Sequence, residues 1–173
     1  MIILRVLLLW PFGMIFALIV TVRNFLFDRE IFKAKKFPVK VISVGNLSMG
    51  GTGKTPMTAN IVENLVKTFN KKVCVVSRGY RGTYTAPSEK VDLLKSDAAT
   101  FYGDEPTWFA RRLHVPVFVG RSRAAAVAHA LRDIDDLEIV VADDGFQHRW
   151  LQRDIDIVLI DVTGKNSFPI PVG

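Results

Sequence analysis

Cysteine is nearly missing from this sequence: Cys74 is the only one in 173 residues. Its solitude excludes a disulfide within the chain and a cysteine-rich zinc site. Cys74 sits in the apolar run Val73-Cys74-Val75-Val76, where it reads as a small buried hydrophobe in a reducing compartment. Internal repeats are absent as well. So is any nucleic-acid recognition motif, although the net charge is +6. What the chain does have is apolar content, 49% of its residues. That is too much for a disordered tail, and the length suits one domain with a well-buried core.

The charge is local. Residues 23–40 hold Arg23, Arg29, Lys33, Lys35, Lys36 and Lys40 against Asp28 and Glu30, and Arg5 adds one more positive charge. From residue 41 onward 16 basic residues face 15 acidic ones, so the rest of the chain is close to neutral. The basic stretch directly follows an uncharged apolar run, residues 6–22. A cationic flank beside an apolar helix points to anionic lipid headgroups rather than to DNA. As a helix the run would be about 26 Å long, the lower limit for crossing a bilayer. No small-residue cleavage site precedes the basic stretch, which argues against a signal peptide. A spanning anchor would leave the body in the cytoplasm by the positive-inside rule. A helix lying in the interface, with Trp10, Phe12 and Phe16 among lipids, fits equally well, and a core helix of a soluble protein is the remaining alternative. The sequence therefore divides into a membrane-associated helix with its basic flank at residues 1–38 and a body from residue 39 to 173.

The body alternates strand and helix patterns. Short, mostly β-branched runs at residues 39–44, 73–76, 115–119, 139–142 and 155–160 read as parallel strands buried on both faces. Pro116 makes the third the least secure central strand. Helical patterns fill residues 54–69, 105–113 and 121–131. Such alternation predicts an α/β fold with a mostly parallel sheet flanked by helices. Residues 80–100 are rich in polar and turn residues and read as an excursion outside the sheet.

Between the first strand and the first body helix lies Ser48-Met49-Gly50-Gly51-Thr52-Gly53-Lys54-Thr55. This is the context a phosphate-binding loop requires. Its glycines let backbone N–H groups converge on phosphate oxygens at a helix N-terminus. Lys54 would reach the terminal phosphates and Thr55 would give its hydroxyl to Mg²⁺. Ser48 stands where the common pattern has glycine, and the loop instead resembles the glycine-paired variant found in kinases and in ATPases related to partitioning proteins. Met49 takes the place of the signature lysine of those ATPases.

A nucleotide site of this kind needs a carboxylate at a neighbouring strand end. Asp143-Asp144 and Asp161 both satisfy that pattern. The former leads into Gly145-Phe146-Gln147-His148, a polar cluster at the sheet edge where α/β folds bind ligands. Asp104 precedes a helical pattern and is either a helix cap or a catalytic carboxylate. Arg78 and Arg81, in Ser77-Arg78-Gly79-Tyr80-Arg81-Gly82, either contact an anionic group or are solvated surface. His114 and His129 read as structural.

The loop at residues 44–56, Ser77 to Gly82, Gly103 to Pro106 and Asp143 to His148, in that order, resemble one family, the tetraacyldisaccharide 4′-kinases of lipid A biosynthesis. The apolar N-terminal helix with its basic flank matches too. The resemblance implies transfer of phosphate from ATP, with Mg²⁺, to the 4′-hydroxyl of a tetraacyl glucosamine disaccharide 1-phosphate. It implies a site at the cytoplasmic face of the bacterial inner membrane. The general base falls on Asp104. Nucleotide contacts fall on Ser48, Gly50, Gly51, Thr52, Gly53, Lys54 and Thr55. Thr55 and Asp143 are the metal residues, Asp144 joins the catalytic groups, and Arg78, Arg81, Gln147 and His148 face substrate or phosphate. Family members continue into a further lobe that carries a histidine partner for the aspartate, so residues 1–173 alone are expected to be poorly active. The rival expectations are a membrane-associated ATPase switch and a soluble small-molecule kinase or ligase.

Overall fold

The computed structural model describes residues 2–29, 31–46, 53–145 and 149–160, with residues 2–13 described as helical backbone alone. In chain order the elements are α1 (Ile2–Asp28), β1 (Lys40–Asn46), α2 (Lys54–Lys67), β2 (Val73–Ser77), β3 (Ser88–Lys90), α3 (Ala98–Tyr102), α4 (Asp104–Leu113), β4 (Val117–Gly120), α5 (Arg123–Asp133), β5 (Ile139–Asp143) and β6 (Ile155–Leu159). The six strands form one sheet in the order β3-β4-β2-β5-β1-β6. Every neighbouring pair is parallel except β3 with β4. The mixed α/β architecture expected from the alternating pattern is the one observed.

Period-two alternation along the strands explains the layers. Cys74, Val76, Val140 and Ala142 point to one face, where they meet Ala126, Val127 and Ala130 of α5. Val73, Val75 and Val141 point to the other, against Ala59 and Val62 of α2 and Phe109 of α4. Both faces of β2 and β5 are thus covered, which is why these runs are continuously apolar. Each fully buried valine contributes on the order of 1.5 kcal/mol or more, so the sheet centre, not surface ion pairing, holds the fold.

Two readings of the sequence need correction. Residues 80–100 are not wholly outside the sheet: Ser88–Lys90 is an antiparallel edge strand, with Glu89 opposite Val119. Edge strands are half solvated and carry no apolar run, so a polar triplet gave no strand signal. The strand expected over 115–119 begins at Val117, and it lies inside the sheet between β3 and β2. Pro116 sits just ahead of it and only its carbonyl is used, accepting from the Val75 N–H at 3.0 Å. A residue without an N–H is harmless there.

Among the described residues no helix is long and apolar enough to cross a membrane. The second half of α1 stands clear of the body, with Ile15, Leu18, Ile19 and Val22 exposed. Its C-terminal end is anchored instead. Phe27 makes edge contacts with Phe32 and Trp150, at centroid distances of 5.5 and 4.8 Å. Arg149 pairs with Asp28 and stacks over Phe27.

Candidate functional site

Parallel strands deliver their C-terminal ends to one edge of the sheet. There β1 ends in Asn46, β2 in Ser77 and β5 in Asp143. Helix α2 starts beside them at Lys54, with Gly53, which has no side chain to cap with, as its N-cap. Pro56 has no N–H and the Met57 N–H is taken by the Gly53 carbonyl at 3.1 Å, so the amides this turn can offer a ligand are those of Lys54 and Thr55. A cleft of about 430 Å³ opens at this edge, lined by Lys54, Ser77, Arg78, Tyr80, Arg81, Asp104, Glu105, Arg123, Asp143 and Asp144. Residues from four separate sequence motifs meet in it. A larger hollow beside Phe27 and Arg149 has none of these groups in its lining.

Asp143 is 2% exposed. The Thr58 hydroxyl donates to one of its carboxylate oxygens at 3.2 Å, and the Ser77 hydroxyl to the other at 3.4 Å. Burial, then the neighbouring Glu105 charge, pushes its carboxyl up to about 6. Asp144 is different. It adopts a left-handed backbone (φ +50°) and its carboxylate is half exposed, 3.5 Å from the Lys54 ammonium. Lys54 also donates to the Asn46 side-chain carbonyl at 2.9 Å, spanning β1 and the acidic pair. The Thr55 hydroxyl donates to Glu105 at 3.2 Å.

Asp104 is the first residue of α4, exposed at the mouth of the cleft, while the N-cap position belongs to Gly103. The helix-cap alternative for Asp104 is therefore not what the fold uses. Gly103 has φ +100° and ψ 157°, a conformation essentially closed to other residues. A Cβ there would lie 2.8 Å from the Tyr80 carbonyl oxygen. At Gly79 (φ +65°) a Cβ would lie 2.6 Å from the Tyr102 carbonyl oxygen. This mutual approach of two glycine-bearing turns brings Asp104 beside the loop that carries Arg78 and Arg81. Both arginines are exposed, and Arg81 lies over the Tyr80 ring.

The sequence-derived set is thus partly assembled before the eye. Lys54, Asp104, Asp143, Asp144, Arg78 and Arg81 share the cleft, and Thr55 reaches it through Glu105. Ser48, Gly50, Gly51, Thr52, Gln147 and His148 lie outside the described residues, as does Asp161. Five participants were not singled out from the sequence: Asn46, Thr58, Ser77, Glu105 and Arg123. Ser77 ends a strand and Glu105 adjoins Asp104, so strand-end and neighbour logic could have found them. Arg123 carried one signal: it opens a helix, where the dipole disfavours a cation.

The chemistry is that of a polyanion site. Cations and uncapped helix amides can take phosphates, while a buried and an exposed carboxylate stand next to them. Three comparisons agree with this geometry. The family described as tetraacyldisaccharide-1-P 4'-kinase matches residues 5–173. The chain is 42% identical over 158 residues to the tetraacyldisaccharide 4'-kinase of Bdellovibrio bacteriovorus, covering 91% of this chain and 46% of that one. It is 39% identical over 170 residues to the enzyme of that name from Azoarcus sp., covering 98% and 49%. The chain spans about half the length of these curated relatives. The crystal structure of LpxK from Aquifex aeolicus in complex with ATP superposes with a TM-score of 0.78 at 38% identity, covering 90% of this chain and 49% of that one.

Proposed function

The chain belongs to the tetraacyldisaccharide-1-P 4'-kinase family, and from that premise we propose that it carries the ATP-binding machinery of a lipid-sugar kinase. The reaction is phosphoryl transfer from ATP to the 4′-hydroxyl of a tetraacyl glucosamine disaccharide 1-phosphate, a lipid A precursor. The observation that carries the reading is the single cleft in which Lys54, the Asp143-Asp144 pair and Asp104 converge.

Lys54 leaves Asn46 and Asp144 to bind the terminal phosphates, with the α2 amides around them. Asp104, at the open side of the cleft, accepts the proton of the sugar hydroxyl as it attacks in line. Arg78 and Arg81 meet negative charge on the nucleotide or the lipid. Among the described residues no three acidic, histidine or cysteine side chains form a ready-made metal cage. Mg²⁺ takes one or two carboxylates and draws its remaining ligands from phosphates and water. Asp143, Asp144 and the Thr55 hydroxyl are the groups that would hold it. When bound, it neutralises charge on the transferred phosphate.

Helix α1 and residues 23–40 are read as the element that holds this site at the cytoplasmic face of the bacterial inner membrane, against anionic headgroups. Its exposed apolar side chains support that reading. A substrate whose acyl chains stay in the bilayer requires such an arrangement.

The test is labelled ATP with a lipid A disaccharide precursor and the full-length protein. Label on the lipid supports the kinase, whereas lipid-independent phosphate release supports a membrane-associated ATPase switch. Asp104→Ala is expected to lower transfer by roughly 10²-fold or more and to leave nucleotide affinity unchanged. Normal transfer by that variant would show that another group takes the proton.

A further inference from the structure

Arg123 is the largest buried polar side chain among the described residues, at 1% exposure. A cation in the first turn of a helix meets the positive end of the dipole, and a buried one also loses its hydration. Something must offset both. Its Nη2 donates to the main-chain carbonyl of Asp143 at 2.9 Å and lies 3.4 Å from that of Asp144. Its Nη1 donates to the Gly120 carbonyl at 3.3 Å, and Nε has no hydrogen-bond partner among the described residues. The guanidinium therefore ties the end of β4 to the end of β5, two strands separated in the sheet by β2.

The geometry points to Arg123 as a positioning residue that fixes the Asp143-Asp144 turn through its backbone, so that the two carboxylates face the metal-nucleotide in one arrangement. Asp144 is where this matters most. Its left-handed backbone is uncommon for a residue other than glycine, and its half-exposed carboxylate rests on Lys54 at 3.5 Å, a partner that the proposed reaction draws away to phosphate. A planar fork reaches carbonyls on two strands at once; an ammonium on a flexible stem does not. The guanidinium stays charged at neutral pH although burial lowers it to about 10, so it also adds positive potential behind the acidic pair. It touches no reacting atom.

The inference rests on the nucleotide-binding reading but not on lipid transfer. Its test is Mg²⁺-dependent binding of a fluorescent ATP analogue to the full-length protein, wild type against Arg123→Lys and Arg123→Met. The Mg²⁺ concentration at half-saturation is expected to rise roughly tenfold in both, the usual effect of removing a group that orients metal ligands. Affinity for the analogue in EDTA should stay within about twofold. Combining Arg123→Lys with Asp144→Asn should give less than the product of the two single effects, because both act at one turn. Folded variants with wild-type Mg²⁺ dependence overturn the inference. So does loss of folding in both variants, since Arg123 would then be a structural strut and nothing more. Wild-type protein that binds Mg²⁺-nucleotide without phosphorylating lipid overturns the kinase reading and leaves this test standing.

Discussion

Asp143 and Asp144 are adjacent in sequence and chemically unlike. One carboxylate is buried under two hydroxyls, the other half exposed on a lysine. The strand-end position of the pair could be read from the apolar run before it. The difference between them could not, because it depends on Thr58 and Ser77, which come from other elements. It has a measurable consequence. Burial raises the Asp143 carboxyl from 3.8 to about 6, so the fold favours its protonated form. That preference is fully expressed below the unfolded value and is lost as pH rises through 6. Above pH 7 the folded protein holds a buried carboxylate at a cost of up to roughly 3 kcal/mol. Asn fits the same place, since its carbonyl and amide can pair with the two hydroxyls. In EDTA without nucleotide, Asp143→Asn should therefore be more stable than wild type at pH 8 and about equal to it at pH 4. Urea unfolding at the two pH values measures this, and a difference independent of pH would refute the burial argument.

Elements differ in how much of themselves they disclose. The buried strands β2 and β5 announce themselves as valine-rich runs, since residues covered on both faces have no polar alternation to hide in. Strand β3 gave no such signal, because Ser88-Glu89-Lys90 pairs only on one side and is half solvated. The turn joining α3 to α4 was legible only as the pattern Gly103-Asp104-Glu105-Pro106. Why glycine stands there is a matter of three dimensions: two loops about 23 residues apart press backbone against backbone. Gly103→Ala should therefore cost about 2–3 kcal/mol, the usual scale for a side chain forced into such a conformation. It should also lower transfer by displacing Asp104, whose helix begins at that residue. Thermal melting with and without nucleotide reads the first effect. A variant with wild-type stability would mean that the two turns separate easily.

At the scale of the whole molecule, the charge is placed where the fold needs it least. The neutral body folds around apolar strands, while the excess of positive charge sits at residues 23–40, past the part of α1 that stands free of the body. Sequence alone located both features, since hydropathy and charge are additive along the chain. The docking of α1 on Trp150 and Arg149 was not legible, because those contacts join positions more than 120 residues apart. The two features predict a two-part affinity for membranes. Apolar insertion by α1 would be insensitive to salt, whereas attraction of the basic flank to anionic headgroups would fade as the Debye length shrinks from about 10 Å at 0.1 M to 3 Å at 1 M. Full-length protein should float with vesicles containing phosphatidylglycerol at low salt and remain partly bound at 1 M. Replacing Lys33, Lys35 and Lys36 with Gln should remove the salt-sensitive part alone, worth about 1 kcal/mol for each lysine at the surface. Exchanging Ile15, Leu18, Ile19 and Val22 for Ser should remove the salt-resistant part, with nucleotide binding intact in both variants. Equal flotation by neutral and anionic vesicles at low salt would assign the basic flank to another partner, and full binding by the serine variant would take α1 out of the membrane.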